Sequence, residues 1–205
     1  MRTVVRMYAG HVDFAQPMLQ LVERLYTPEE CVALLAAVAH AEWLPATINR
    51  PDGRGVDTRI RDNLTAIVRE PAITATLFER IAPHLPAAMT SGWDGPRRAM
   101  RLHGLYEPPR VYRYDVGHHF GLHTDQSYTR GDARSLLTLL VYLDEDFDGG
   151  ETDFPEERRT IAPRAGDALW FQHALLHAGK PVTRGTKHVL RTDVLYVQDA
   201  MVDHR

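Results

Sequence analysis

Cysteine is nearly absent from this sequence of 205 residues: Cys31 stands alone, so no intramolecular disulfide can form and a reducing compartment is expected. Long apolar runs are missing as well. The stretch from Met1 to Gln20 carries arginines at 2 and 6 but lacks the apolar segment of a signal peptide, and nowhere do about 18 apolar residues follow one another, so no membrane association and a cytoplasmic location are expected. Charge of one sign is not in excess. A formal net charge of -3 provides no broad field to draw in a phosphate backbone, so nucleic acid is not favoured as a partner. What remains is an ordinary globular composition, 44% hydrophobic and 25% charged, without repeats, at a length that predicts one domain over 1–205.

The patterning changes near residue 109, with helical periodicities before it and strand-like runs after it. Thr27-Pro28-Glu29-Glu30 predicts a helix start, with threonine as cap, proline in the first turn and Glu30 closing a capping box; the helix should run to about Trp43. Val32, Leu35 and Val38, with Leu34 alongside, form an apolar face that needs a sheet to cover, and Cys31 is expected in the core of that helix. Pro51 to Gly55 reads as an exposed loop, Arg59 to Val68 as a strand, Pro71 to Ile81 as a second helix, and the Gly- and Pro-rich Ser91 to Pro109 as a connector.

Short runs rich in Val, Leu, Thr and aromatics come next: Arg110 to Tyr114, His119 to His123, Ser135 to Leu143, Glu151 to Phe154, Arg158 to Ile161, Asp167 to Gln172 and Lys187 to Gln198. Turn signals such as Asp148-Gly149-Gly150 separate them. The expected fold is mostly β with flanking helices: a jelly-roll core over about 110–198, and helical support over about 25–90 packed on one sheet.

Eleven histidines make any single one uninformative, so spacing must select. His123 and Asp125 are two apart at a predicted strand end and project to the same side. His177 comes 52 residues later, after enough chain for strands to cross a sandwich and return. Two imidazoles and a carboxylate on one face of an octahedron suit iron(II) with positions open for oxygen and a bidentate co-substrate. From these three residues alone, a hydrogen-bonded surface pair and a core histidine are an equally good reading. His118 and His119 sit at a turn, and His173 has no cation following at the right distance, so all three are weaker candidates.

That cation is Lys187, ten residues after His177 and directly beyond the Pro181 to Gly185 turn. A 2-oxo diacid chelating a metal needs a positive charge some way off for its other carboxylate. Arg191 competes on the same strand face, but four residues at about 3.3 Å each set it roughly 13 Å from Lys187, and Lys187 is expected to be the one close to the metal. Arg191 reads equally well as a structural pair with Asp193. Tyr114, on the preceding strand, is a third candidate for contact with the co-substrate.

Arg113-Tyr114-Asp115-Val116-Gly117, His123-Thr124-Asp125, Leu139-Leu140-Val141-Tyr142-Leu143, Gly149-Gly150-Glu151-Thr152-Asp153-Phe154, Pro163 to Leu169 and His177-Ala178-Gly179-Lys180-Pro181-Val182 occur in that order. Together they resemble the prolyl 4-hydroxylase-like branch of the 2-oxoglutarate and iron(II) dependent dioxygenases, over about residues 25 to 198. The resemblance implies a double-stranded β-helix of cupin-like type, His123, Asp125 and His177 as catalytic iron ligands, Lys187 as the co-substrate anchor and Tyr114 as a supporting donor. It implies Fe(II), 2-oxoglutarate and O2 as cofactors, with ascorbate as a candidate reductant, and hydroxylation of a small-molecule, peptide or protein substrate with release of succinate and CO2. Family members with arginine as anchor leave Arg191 open, and no residue marks the substrate as proline. Asp125 is present where a small residue would make room for a halide, which favours hydroxylation. A non-oxidative cupin-like metal-binding domain and a zinc hydrolase or isomerase are the alternatives. The lid candidates are Gln126 to Arg134, with Tyr128 and Arg130, and Arg50 to Asn63, with Arg59, Arg61 and Asn63.

Overall fold

Thr27 accepts a hydrogen bond from the Glu30 N–H while the Glu30 carboxylate takes the Thr27 N–H, so the capping box starts helix α1, Pro28–Ala36. The computed structural model describes residues 12–50, 53–92, 96–162 and 164–198. α1 stops seven residues short of Trp43, where the chain turns at Ala37 to His40. Val32, expected on the apolar face, is 67% exposed; the buried side instead carries Cys31 and Val38, with Leu34 and Leu35 packed alongside. Helix α2 covers Pro71–Ile81 and buries Leu77 and Ile81. Each such fully buried aliphatic side chain stabilises the fold by roughly 1.5–3 kcal/mol.

Both helices lie on the outer face of a large antiparallel sheet. Its strands run in the order Leu19–Val22, Ala168–Gln172, Ala133–Tyr142, Lys187–Gln198, Arg110–Tyr114, Leu64–Ile67 and Leu44–Pro45. A four-stranded sheet, Arg159–Ile161, Thr152–Phe154, His177–Gly179 and Phe120–His123, faces it. Two facing sheets with helices on one of them are the expected double-stranded β-helix. Strand alternation divides the side chains between the two faces. From Ala133–Tyr142, Leu137, Leu139 and Val141 join the core under the helices, whereas Tyr142 enters a second core between the sheets with Leu169, Phe171 and Val189.

Three expectations need correction. The 25–90 segment is not purely helical, because Leu44–Pro45 and Leu64–Ile67 extend the large sheet. Of the Arg59 to Val68 strand only the second half forms, since Thr58 to Ile60 make a turn; Gly53–Gly55 pairs with Ile48–Arg50 as a hairpin whose tip lies outside the described residues. The Ser91 to Pro109 connector contains the strand Arg98–Leu105, which pairs with Ala88–Ser91 and with the end of Lys187–Gln198 and buries Met100 and Leu105. No helix among the described residues is long and apolar enough to cross a membrane.

Candidate metal centre and its cavity

His123 ends its strand opposite His177, the first residue of the neighbouring one. Opposed residues of an antiparallel pair project from the same face, and the two imidazole centroids are 4.1 Å apart. Asp125 lies just beyond the strand end, its N–H donating to the His173 carbonyl at 2.9 Å. Asp125 Oδ1 is 3.6 Å from His123 Nε2, and Oδ2 is 3.8 Å from His177 Nε2. One ligand atom from each residue falls within 4.8 Å of the others, the one such group among the described residues.

Each imidazole is oriented from behind. His123 Nδ1 meets the Gly121 carbonyl at 2.8 Å and His177 Nδ1 meets that of Leu175 at 2.9 Å, which places the proton on Nδ1 and leaves Nε2 as a free lone pair. Burial, then the neighbouring His177, pushes His123 down to about 3, and burial lowers His177 as well, so both rings are neutral. Burial opposes charge on Asp125 too, but Arg191 and the histidines outweigh it and hold the carboxyl below its usual range. Two neutral imidazoles and one carboxylate are a donor set that fits a divalent transition metal.

A buried polar chain stands behind Asp125. Thr138 donates to Asp125 Oδ2, its hydroxyl meets His173 Nδ1 at 2.9 Å, and His173 Nε2 meets the Ser135 hydroxyl at 3.0 Å. With Thr138 donating forward, His173 must donate from Nδ1 and accept at Nε2. His173 therefore braces the carboxylate rather than joining it. Arg191 Nη2 lies 3.4 Å from Asp125 Oδ2 and 3.0 Å from Asp193 Oδ1.

A cavity of about 320 Å³ opens between the sheets, and its wall includes His123, Asp125, His177, Tyr114, Lys187 and Arg191. The two cations occupy places opposite to expectation: Arg191 touches the Asp125 carboxylate, and Lys187 lies four residues back along the strand. Lys187 is buried beside Tyr114 and Tyr142, its Nζ 5.4 Å from each ring centre, and donates to the Gly150 carbonyl. Burial pushes it down to about 8. Tyr114 is its cross-strand partner. His118 and His119 remain in their turn, bonded to Asp115 and Asp62.

The lid stretches divide. Arg59 is exposed against Asp57 and Arg130 is exposed, whereas Arg61 reaches the cavity, held by Asn63; Asn49, just before the second stretch, donates to Gln126 at the start of the first. Sequence patterning gives no sign of the parts played by Thr138 and His173. In a strand, polar residues two apart read as solvent-facing, and nothing local distinguishes a face turned to a buried site.

A family profile described as the 2OG-Fe(II) oxygenase superfamily matches residues 109–192, the stretch that holds His123, Asp125, His177, Lys187 and Arg191 but not Arg61. That stretch belongs to the 2OG-Fe(II) oxygenase superfamily. Its branch is prolyl 4-hydroxylase-like: this oxygenase is 24% identical over 208 residues to a probable prolyl 4-hydroxylase of Arabidopsis thaliana, covering 84% of the chain and 67% of that protein. It is 38% identical over 106 residues to a PKHD-type hydroxylase of Beijerinckia indica, where the match covers 46% of each, so it spans less than half of that relative. Its fold matches a viral collagen prolyl hydroxylase of Paramecium bursaria Chlorella virus 1, crystallised with 2OG, at a TM-score of 0.61 and 19% identity over 90% of the oxygenase and 98% of the viral chain. Fe(II) and 2-oxoglutarate are the cofactors of this superfamily, and the His-Asp-His group is suited to the metal.

Proposed function

We propose that this oxygenase hydroxylates an unactivated C–H bond of a prime substrate, releasing succinate and CO2, with His123, Asp125 and His177 as the iron ligands. The observation that carries this reading is a cavity with the neutral-imidazole and carboxylate triad on its wall and a buried lysine set apart from it. Iron(II) in such a triad supplies oxygen activation coupled to decarboxylation of 2-oxoglutarate. Lys187 would receive the distal carboxylate, with Tyr114 beside it; a buried ammonium that donates to a backbone carbonyl gains a charge-assisted contact on meeting an anion. Arg191 and Thr138 orient Asp125, which leaves Arg191 engaged and unsuited to anchoring a diacid.

Asp125 is the single carboxylate on the cavity wall among the described residues, so no second acid is at hand to activate water, which weighs against a zinc hydrolase. The retained Asp125 favours hydroxylation over halogenation. The prolyl 4-hydroxylase relatives make a prolyl group one candidate target among amino acids, peptides and other small molecules. Adding 2-oxoglutarate to the iron(II) protein without oxygen tests the reading: a visible metal-to-ligand charge-transfer band is expected, and a protein that binds iron but gives no band is not an oxygenase of this kind.

A further inference from the structure

The cavity wall carries five cationic side chains, Arg54, Arg61, Arg110, Lys187 and Arg191, against the single carboxylate of Asp125. On the oxygenase reading, which this proposal presupposes, the co-substrate dianion and Asp125 balance the metal and Lys187, and Arg191 is balanced by Asp193. Arg54, Arg61 and Arg110 are left facing the cavity with no salt bridge among the described residues, and of these Arg54 is exposed at the rim. Arg110 stands directly across the strand pair from Arg191, where like charges repel. The Asp193 carboxylate lies within reach of both charges, which leaves Arg61 as the enclosed cation without an anionic neighbour among the described residues.

Arg61 is built to receive one. Its Nε donates to Asn63 Oδ1 at 2.7 Å, and the buried Asn63 is fixed in turn by the Leu64 carbonyl at 2.8 Å. Its guanidinium lies 4.5 Å from the ring centres of both Tyr112 and Phe120. Phe120 stacks on His123 with centroids 3.5 Å apart, so the cation is one ring away from a metal-facing imidazole. A planar, immobilised fork matches a carboxylate, and it loses little entropy on binding.

We infer that the prime substrate is a small carboxylate-bearing molecule whose anionic group is received by Arg61, which presents a C–H bond a few carbons away to the metal. The cavity of about 320 Å³ opens to solvent beside Asn49 and Gln126, so what must be small is the part of the substrate that enters with its carboxylate beside the co-substrate.

The test uses oxygen-free protein loaded with iron(II) and 2-oxoglutarate, so that Lys187 is already occupied. Butanoate, 3-phenylpropanoate and N-acetyl-L-proline are titrated beside their primary amides and beside a proline peptide blocked at both ends, with ligand NMR line broadening and the charge-transfer band as readouts. At least one acid should bind at least tenfold more tightly than its amide. Arg61→Gln should weaken that acid roughly ten- to a hundredfold and erase the preference, while the 2-oxoglutarate band persists as proof of fold; Arg61→Lys should fall between. Equal binding of acids and amides, binding by the blocked peptide alone, no binding of any acid, or an Arg61→Gln protein that behaves as wild type would overturn the inference. A wild-type protein without the band overturns the oxygenase reading instead, and the NMR titration still decides the role of Arg61.

Discussion

Arg191 Nη2 lies 3.4 Å from Asp125 Oδ2, the same oxygen to which Thr138 donates, while Oδ1 faces His123 Nε2 at 3.6 Å. The arginine thus holds one oxygen of the carboxylate and leaves the other free for the metal in the proposed site. Arg191→Ala is expected to lower iron(II) affinity by about ten- to a hundredfold, as loss of an outer-shell partner typically does. Asp193, which burial already pushes up to about 6, then becomes protonated near neutrality. An iron titration showing wild-type affinity would remove Arg191 from this role.

Lys187→Ala is expected to leave iron bound and to weaken 2-oxoglutarate by roughly ten- to a hundredfold, the worth of a charge-assisted contact. Titrating the charge-transfer band gives the constant. If Arg191→Ala raises it and Lys187→Ala does not, the roles are exchanged.

The pH response of Lys187 has a definite sign. Its folded pKa of about 8 lies below the ordinary lysine range, so above about 8 the folded chain has released a proton that the unfolded chain keeps. Between these values fold stability gains from rising pH, whereas 2-oxoglutarate affinity falls because the anchor is neutral. Binding near pH 8 should be accompanied by proton uptake, measurable by calorimetry in buffers of different ionisation heat, and Lys187→Arg should abolish it.

His123→Ala or His177→Ala should abolish iron binding and succinate formation together. A mutant that loses succinate formation yet retains full iron occupancy would place the metal elsewhere.

Gly150 has φ of +67°, and a Cβ there would sit 3.0 Å from Lys187 Cδ and 3.2 Å from Val182 Cγ2. Gly150→Ala is therefore expected to cost about 1–3 kcal/mol of stability by thermal unfolding and to displace the anchor, raising the 2-oxoglutarate constant as well.

Much of the fold is legible in the sequence because alternation and caps are local. Pro71–Ile81, Arg110–Tyr114 and Lys187–Gln198 form with the expected bounds, and His123, Asp125 and His177 converge as their spacing implies. Arg98–Leu105 is concealed by its Gly- and Pro-rich flanks: Met100 and Leu102 alternate, but Leu105 is out of step with them and reaches the same core only through the register shift opposite Leu195 and Tyr196. The places of Lys187 and Arg191 are the reverse of those expected because strand geometry gives their separation and not which end meets the metal. In the sequence Arg61 is one polar loop residue among several; only the fold sets it between two aromatic rings and leaves Arg59 in solvent.

Side-chain alternation along Lys187–Gln198 has a consequence for how selectivity can evolve. Leu190, Val194 and Tyr196 fill the core under the helices from the opposite face of the same strand, so inserting or deleting one residue would drive them into the cavity. A cation can relocate along this strand only in two-residue steps of about 6.6 Å, far coarser than the increment of one methylene in a diacid. The strand therefore works as a ruler with fixed graduations: with Lys187 in the proposed anchoring role, discrimination among 2-oxo diacids of neighbouring length would come from exchanging the side chain at position 187, and drift in strand length could not retune it.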